Sequence, residues 1–169
     1  MPPTPRDRRL HSDLEKVKKL VAESGGTLKL LRAAGNPPTT YVIEYHCPSL
    51  VKDSSGKPII REQHQVEIKL GTDYPFTSPT ARMLTAVFNP HVFTSNQICL
   101  GVVWNAAETL DTLVLRIGAL LQLDPKVLNS RSPANSEANQ WAQKNKSKIP
   151  LGTVSFKAAA ESPKRVQWQ

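Results

Sequence analysis

Between residues 10 and 21, apolar side chains return at every third or fourth position: Leu10, Leu14, Val17 and Val21 share one face of a helix. Thr4-Pro5-Arg6-Asp7 supplies its start, with Thr4 as N-cap, Pro5 at the first helical position and Asp7 reaching back from the third. Gly25-Gly26 ends it. The outer face carries Arg6, Arg9, Lys16 and Lys19. From Thr27 the period drops to two. Leu28 and Leu30 alternate with polar neighbours, residues 41–45 are rich in strand formers, and Val66, Ile68 and Leu70 alternate with Glu67 and Lys69. Residues 81–87 make a fourth candidate strand. Asn36-Pro37-Pro38 and Asp53-Ser54-Ser55-Gly56 are the turns, and such short connections favour an antiparallel meander.

The helical period returns beyond Cys99. Leu110, Leu113, Val114, Ile117, Leu120 and Leu121 form one broad apolar stripe, stopped by Asp124-Pro125. A further helix is predicted over 135–146, with Ala138, Trp141 and Ala142 facing in. The order is helix, four-stranded meander, irregular loop holding Cys99, then two or more helices. That is an α+β fold. Residues 1–149 read as one domain, and 150–169 as a basic, flexible tail whose large anchors are Phe156 and Trp168.

Length and composition agree with a single domain that buries a real core. No apolar run approaches the roughly 18 residues of a membrane span, and the start of the chain is polar, so a soluble, cytoplasmic protein is expected. Two cysteines, Cys47 and Cys99, do not make a disulfide framework, and both are expected to be thiols. The net charge of +8 suggests nucleic acid until its location is examined. Residues 1–19 hold six basic against three acidic side chains and residues 141–169 six against one, so these ends account for the whole excess. The body between them is balanced and the chain is poor in aromatic residues, which argues against nucleic acid and for an acidic docking partner or solvated ends.

The chemistry concentrates in NPHVFTSNQICLG, residues 89–101. Cys99 follows His91 by eight positions and Asn89 by ten, in a loop, where functional groups held by a rigid scaffold tend to lie. Cys47, within a predicted strand between His46 and Pro48, reads as core filling. His11, His46, His64 and His91 show no metal-ligand spacing with the cysteines. Neither a Gly-rich phosphate loop nor a Gly-x-Ser-x-Gly elbow is present.

Tyr74-Pro75-Phe76-Thr77-Ser78-Pro79, then a strand, then Asn89-Pro90-His91 and Ile98-Cys99-Leu100, resembles the ubiquitin-conjugating enzyme family, which has a Tyr-Pro-Phe-x-x-Pro loop, a His-Pro-Asn triplet and Ile-Cys-Leu at matching spacing. The likeness extends over roughly residues 8–146. Two departures stand out. The terminal residue types of the triplet are exchanged, and Trp104 comes soon after Cys99, followed by Asn105-Ala106-Ala107 in place of a longer segment with a Ser-Pro-Ala loop. This trimming resembles prokaryotic relatives that serve ubiquitin-like conjugation systems, including antiphage operons.

The resemblance implies that Cys99 accepts the C-terminal glycine of a ubiquitin-like protein from an activating enzyme, holds it as a thioester and yields it to a substrate lysine. Thiolate is both a soft nucleophile and a good leaving group, as such a carrier requires. ATP is consumed upstream, so no cofactor is expected here. Amine attack builds a tetrahedral oxyanion, and one donor near it is worth about 3 to 4 kcal/mol. His91 stands where the family has its asparagine. Either His91 supplies the donor, or Asn89 swings in while His91 braces the turn, or both satisfy buried backbone groups; His91 is the favoured functional member. Ser132, ahead of Pro133, matches the position that gates the incoming lysine, though a helix N-cap is the plainer reading. Phe76 and Asn105-Ala106-Ala107 correspond to the loops that dock ligases, Phe76 having inward packing as its alternative. Arg6, Arg9, Lys16 and Lys19 of the first helix correspond to the contact with the activating enzyme. Two rivals remain: a noncatalytic binding module of the same fold, disfavoured by Cys99 itself, and a cysteine hydrolase using Cys99 and His91, for which no triad can be specified.

Overall fold

The computed structural model describes residues 1–101 and 104–157. Helix α1, Pro5–Ala22, begins with the anticipated reciprocal cap: the Asp7 N–H donates to Thr4 Oγ1 at 3.1 Å and the Thr4 N–H to the Asp7 carboxylate at 3.0 Å. Strands β1 (Leu28–Gly35), β2 (Pro38–Lys52), β3 (Pro58–Lys69) and β4 (Thr80–Met83) form one antiparallel sheet in sequential order. Helices α2 (Leu110–Leu121) and α3 (Ser136–Lys144) follow. The α+β architecture is therefore the expected one. No helix among the described residues is long and apolar enough to cross a membrane.

The fourth strand is shorter than its sequence suggests. At its end the Gln65 N–H of β3 bonds Thr85 Oγ1 at 3.0 Å, so a side-chain hydroxyl takes the place of the next ladder carbonyl. The chain then leaves the sheet, and Phe88 N–H bonds Leu50 O at 2.7 Å instead. Helix α3 also begins one residue later than predicted, because Asn135 is its N-cap and accepts the Ala138 N–H at 3.0 Å.

The core lies between the sheet and helices α1 and α2. Tyr41, Ile43, Tyr45 and Cys47 of β2 meet Leu10, Val17 and Leu20 of α1 and Leu113, Val114 and Ile117 of α2. Burial pushes the Cys47 thiol up to about 12, which suits an inert core position. The buried phenol of Tyr45 donates to Val114 O at 2.8 Å, so its one polar atom is satisfied inside this layer.

One charge is buried there as well. Asp13, on the inward face of α1, accepts Arg9 Nε at 2.8 Å and the Tyr74 hydroxyl at 2.6 Å on Oδ2, and the Leu110 N–H at 3.1 Å on Oδ1. Leu110 is the first residue of α2, whose own N-cap, Thr109, makes no side-chain cap bond. Asp13 thus caps α2 from another helix and places negative charge at its positive end.

The segment expected to be a flexible tail from residue 150 is packed over 150–157. Leu151 N–H donates to Gln122 O at 2.8 Å, and the Gln122 side chain both donates to Val154 O and accepts Val154 N–H at 3.0 Å. Phe156 is only 5% exposed, its ring edge-on to Tyr45 at 5.7 Å and resting on Gly118 of α2. Composition did not reveal this because the slot is made by an absent side chain at Gly118 and by an amide that mimics a strand partner. The remainder of the expected tail, with Trp168, lies outside the described residues.

Two outcomes test these contacts. Asp13→Ala leaves the Arg9 charge and two buried donors uncompensated and should lower the unfolding free energy by about 3 to 5 kcal/mol in a denaturant titration. A loss no larger than the ~1 kcal/mol of a surface pair would contradict the role given to Asp13. In Gly118→Ala the new Cβ meets the Phe156 ring at 2.2 Å. Overpacking of about 1 to 3 kcal/mol should exceed the ~1 kcal/mol helical gain, lowering the denaturation midpoint and speeding trypsin cleavage after Lys157.

Candidate active site

Cys99 is placed by backbone bonds on the edge of the sheet. Ile98 N–H donates to Ala81 O at 2.9 Å and Met83 N–H to Asn96 O at 2.8 Å, so residues 96–98 run along β4. A tight turn through Phe93 and Asn96, the latter at φ +72°, brings Val92 opposite Ile98. Cys99 N–H then donates to His91 O at 2.7 Å. The side chain is half-buried, in contrast to the enclosed Cys47. Gly101, two residues on, holds a φ of +62°, a conformation open to glycine.

The triplet before it fastens the surrounding segments. Asn89 is 1% exposed; its Nδ2 donates to Leu120 O at 2.8 Å, satisfying a carbonyl of the last turn of α2, and its Oδ1 accepts the His91 N–H at 2.8 Å. Pro90 O accepts the N–H groups of Ala134 and Asn135 at 2.8 and 3.1 Å, holding the approach to α3. His91, 4% exposed, accepts the Asn129 N–H on Nε2 at 2.9 Å. Only a neutral imidazole protonated on Nδ1 can accept there. Burial lowers the His91 pKa, with a smaller opposing pull from the Cys99 backbone, so the neutral form is the one the fold favours. The polar atoms of Asn89 and the Nε2 of His91 all face backbone groups.

Ser132 requires a correction. It is exposed and lies short of the helix, and the cap of α3 is Asn135, so Ser132 does not serve as N-cap. It remains on the segment that His91 and Pro90 hold near Cys99.

Phe76 is 85% exposed and does not pack inward. Its loop is fixed from behind: Trp104 Nε1 donates to Pro75 O at 2.6 Å, and the Trp104 ring lies 6.1 Å from that of Tyr74. Asn105 Oδ1 accepts the Ala107 N–H at 2.9 Å in a local turn. A second side chain, Arg9, joins the Phe76 loop and the Asn105-Ala106 loop. Its guanidinium bonds Ala106 O, Glu108 O and the Tyr74 hydroxyl while pairing with Asp13, and it stacks 5.1 Å from the Tyr74 ring. The expectation that Arg9 sits on the outer face of α1 is thereby corrected: Asp13 draws it inward. Arg6 is also partly withdrawn, donating to Gly71 O at 2.9 Å, whereas Lys16 and Lys19 are exposed.

Asp13 was the residue that sequence reasoning passed over, although an acid on the apolar stripe between Leu10, Leu14 and Val17, four positions after an arginine, was a readable signal. Asn129 gave no such signal, because it contributes a backbone N–H. Among the described residues no group of three or more His, Cys, Asp or Glu side chains is arranged to hold a metal.

A family model described as ubiquitin-conjugating enzyme matches residues 49–150. The ubiquitin-conjugating enzyme E2 pex4 of Dictyostelium discoideum is 30% identical over 98 residues, covering 56% of this chain and 63% of that protein. The ubiquitin-conjugating enzyme E2 N of Macaca fascicularis is 35% identical over 81 residues, covering 46% and 51% respectively. The chain thus spans between half and two thirds of the length of these relatives. The family match takes in more than half of the 169 residues, from β2 to the end of the helical region with Cys99 inside it, and this chain belongs to the ubiquitin-conjugating enzyme family.

Proposed function

We propose that Cys99 carries a ubiquitin-like protein as a thioester, receiving it from an activating enzyme and passing it to a lysine of a protein substrate. The observation that carries this reading is the placement of Cys99 within the matched family region, with its backbone fastened to His91 and its neighbour Ile98 to β4. Sulfur attack on the activating enzyme's thioester exchanges one C–S bond for another, so activation is preserved until an amine forms the amide. The cycle asks no metal or organic cofactor of this chain. The exposed Phe76, with Asn105 and Ala106 beside it, is the proposed ligase dock, and Lys16 and Lys19 are the proposed contacts for the activating enzyme. The short connection after Cys99 and the exchanged triplet support a place in a bacterial ubiquitin-like pathway of the antiphage kind, in the cytoplasm.

His91 and Asn89 act in this reading as positioning residues. Asn89 ties the triplet to α2, and His91 ties it to the segment that carries Ser132. A hydrolase needs His91 free to take a proton from Cys99, and the Nε2 bond to Asn129 occupies the very lone pair such a base would use. Ser132, exposed on that held segment, is the residue past which the incoming lysine would approach.

Incubation with a cognate activating enzyme, ATP and ubiquitin-like protein should give a reductant-sensitive adduct that Cys99→Ser abolishes or converts to a reductant-resistant ester. An adduct that survives loss of Cys99 unchanged overturns the assignment. His91→Ala leaves the Asn129 N–H without its acceptor, at a cost of about 1 to 3 kcal/mol, and should slow discharge to lysine, whereas His91→Asn should retain more activity. The pH dependence follows from the same ring. The folded-state pKa lies below the ~6.5 of an unfolded histidine, so the contribution of neutral His91 is whole above that value and is lost as the pH falls through it towards the lowered one. Denaturation midpoints should fall between about pH 7 and pH 5, and less steeply in His91→Asn; identical pH profiles would contradict the clasp.

A further inference from the structure

Ahead of α3 the chain forms an arch with both feet fixed to the triplet. Asn129 N–H donates to His91 Nε2 at 2.9 Å, and the N–H groups of Ala134 and Asn135 donate to Pro90 O at 2.8 and 3.1 Å. The crest is held as well. Asn129 Oδ1 accepts the Arg131 N–H at 3.0 Å, closing an Asx turn, and Asn139 Nδ2 donates to Ser130 O at 3.3 Å. Because His91 O also accepts the Cys99 N–H, one residue joins the arch to the cysteine. Arg131 and Ser132 are exposed on this crest. Its charge has a single sign. Arg131 is the only charged residue between 127 and 136, and it belongs to no ion pair among the described residues. The acid that follows, Glu137, is taken up by Lys52, whose Nζ donates to both carboxylate oxygens at 2.8 and 2.9 Å. The acid that precedes, Asp124, accepts the Lys126 N–H at 3.0 Å.

Resting on the thioester reading of Cys99, we propose that Arg131 sets the class of acceptor: a substrate lysine with an aspartate or glutamate beside it in the chain. A lysine ammonium that nears Cys99 past Ser132 enters the field of an unpaired guanidinium. Like charges repel, so a lysine in a neutral or basic stretch is disfavoured there. A carboxylate next to the lysine reverses the sign, because the guanidinium takes it in a two-pronged hydrogen bond that also fixes where the neighbouring amine points. The fixed arch contributes to this. With the backbone of Arg131 already tied to Asn129, pairing orders only its side chain, which keeps the entropic cost of recognition low. Transfer itself is unchanged: the amine nitrogen forms the amide C–N bond, the C–S bond breaks, Cys99 leaves as thiolate and the amine proton passes to water. Arg131 touches none of the reacting atoms and acts on specificity.

The test is single-turnover discharge of the thioester-loaded full chain to three peptides that differ only in the residues flanking one lysine: Glu, Gln or Lys. Amide shifts of the unloaded, isotope-labelled chain give a second readout. Discharge should rank Glu over Gln over Lys, with the Glu peptide faster than the Lys peptide by about threefold to tenfold at low salt and by less at high salt. The Glu peptide should also shift the amides of residues 129–132. Arg131→Lys should keep the ranking, Arg131→Gln should flatten it and Arg131→Glu should invert it, with loading of Cys99 unchanged in all three. Lys29→Glu, exposed on β1, should leave the ranking as in the wild type. Equal rates for the three peptides in the wild type, or a ranking that Arg131→Glu leaves intact, would overturn the proposal. The two readings fail separately. Normal loading with peptides ranked alike in the wild type and Arg131→Glu sinks the acceptor assignment alone, whereas absent loading, with the Glu peptide still shifting residues 129–132 in the wild type and not in Arg131→Glu, sinks the thioester reading and leaves the contact with the acidic segment standing.

Discussion

The carboxylate of Asp13 is the constraint on which the site's near flank depends. Burying it costs solvation that only a complete set of partners offsets, and the fold supplies them from three directions: Arg9 on its own helix, the hydroxyl of Tyr74, and the first N–H of α2. Because these partners lie far apart in sequence, satisfying one charge fixes α1, the Tyr74-Pro75-Phe76 turn and α2 relative to one another. Arg9 extends the arrangement, since its remaining donors hold the carbonyls of Ala106 and Glu108. The exposed Phe76 and the Asn105-Ala106 loop consequently rest on a braced base.

Across Cys99, a second set of bonds performs the corresponding task with neutral groups. Asn89, the carbonyl of Pro90 and the ring of His91 reach α2, the approach to α3, and Asn129. Between these two fastenings the cysteine occupies a sheet edge, positioned by main-chain bonds and half-open to solvent. The contrast with Cys47 is one of environment: an identical side chain, enclosed in the core with its thiol pushed up to about 12, is unfit for attack at neutral pH.

Much of this was legible in the amino-acid order because the signals were local. The Thr4 to Asp7 cap, the alternation in β2 and β3, the α2 stripe and the loop setting of Cys99 each follow from residues near one another in sequence. What escaped depended on long-range pairing. Arg9 reads as a surface cation until Asp13 is placed beneath it, and residues 150–157 read as tail until Gly118 and Gln122 are seen as their receptors. Ser132 next to Pro133 has the composition of a cap, yet Asn135 holds the helix because its side chain alone reaches the Ala138 N–H. For the triplet, sequence left open which polar atoms were free; the structure turns those of Asn89, and the Nε2 of His91, towards the backbone.

The central claim, that one buried carboxylate couples α1 to the flank of Cys99, is tested most directly by amide hydrogen exchange in Asp13→Asn against the wild type. The account predicts faster exchange confined to the first half of α1, the loop around Tyr74 and Phe76, and residues 104–110, with β2 and β3 as protected as before. Equal exchange in those segments, or acceleration spread evenly through the sheet, would contradict it.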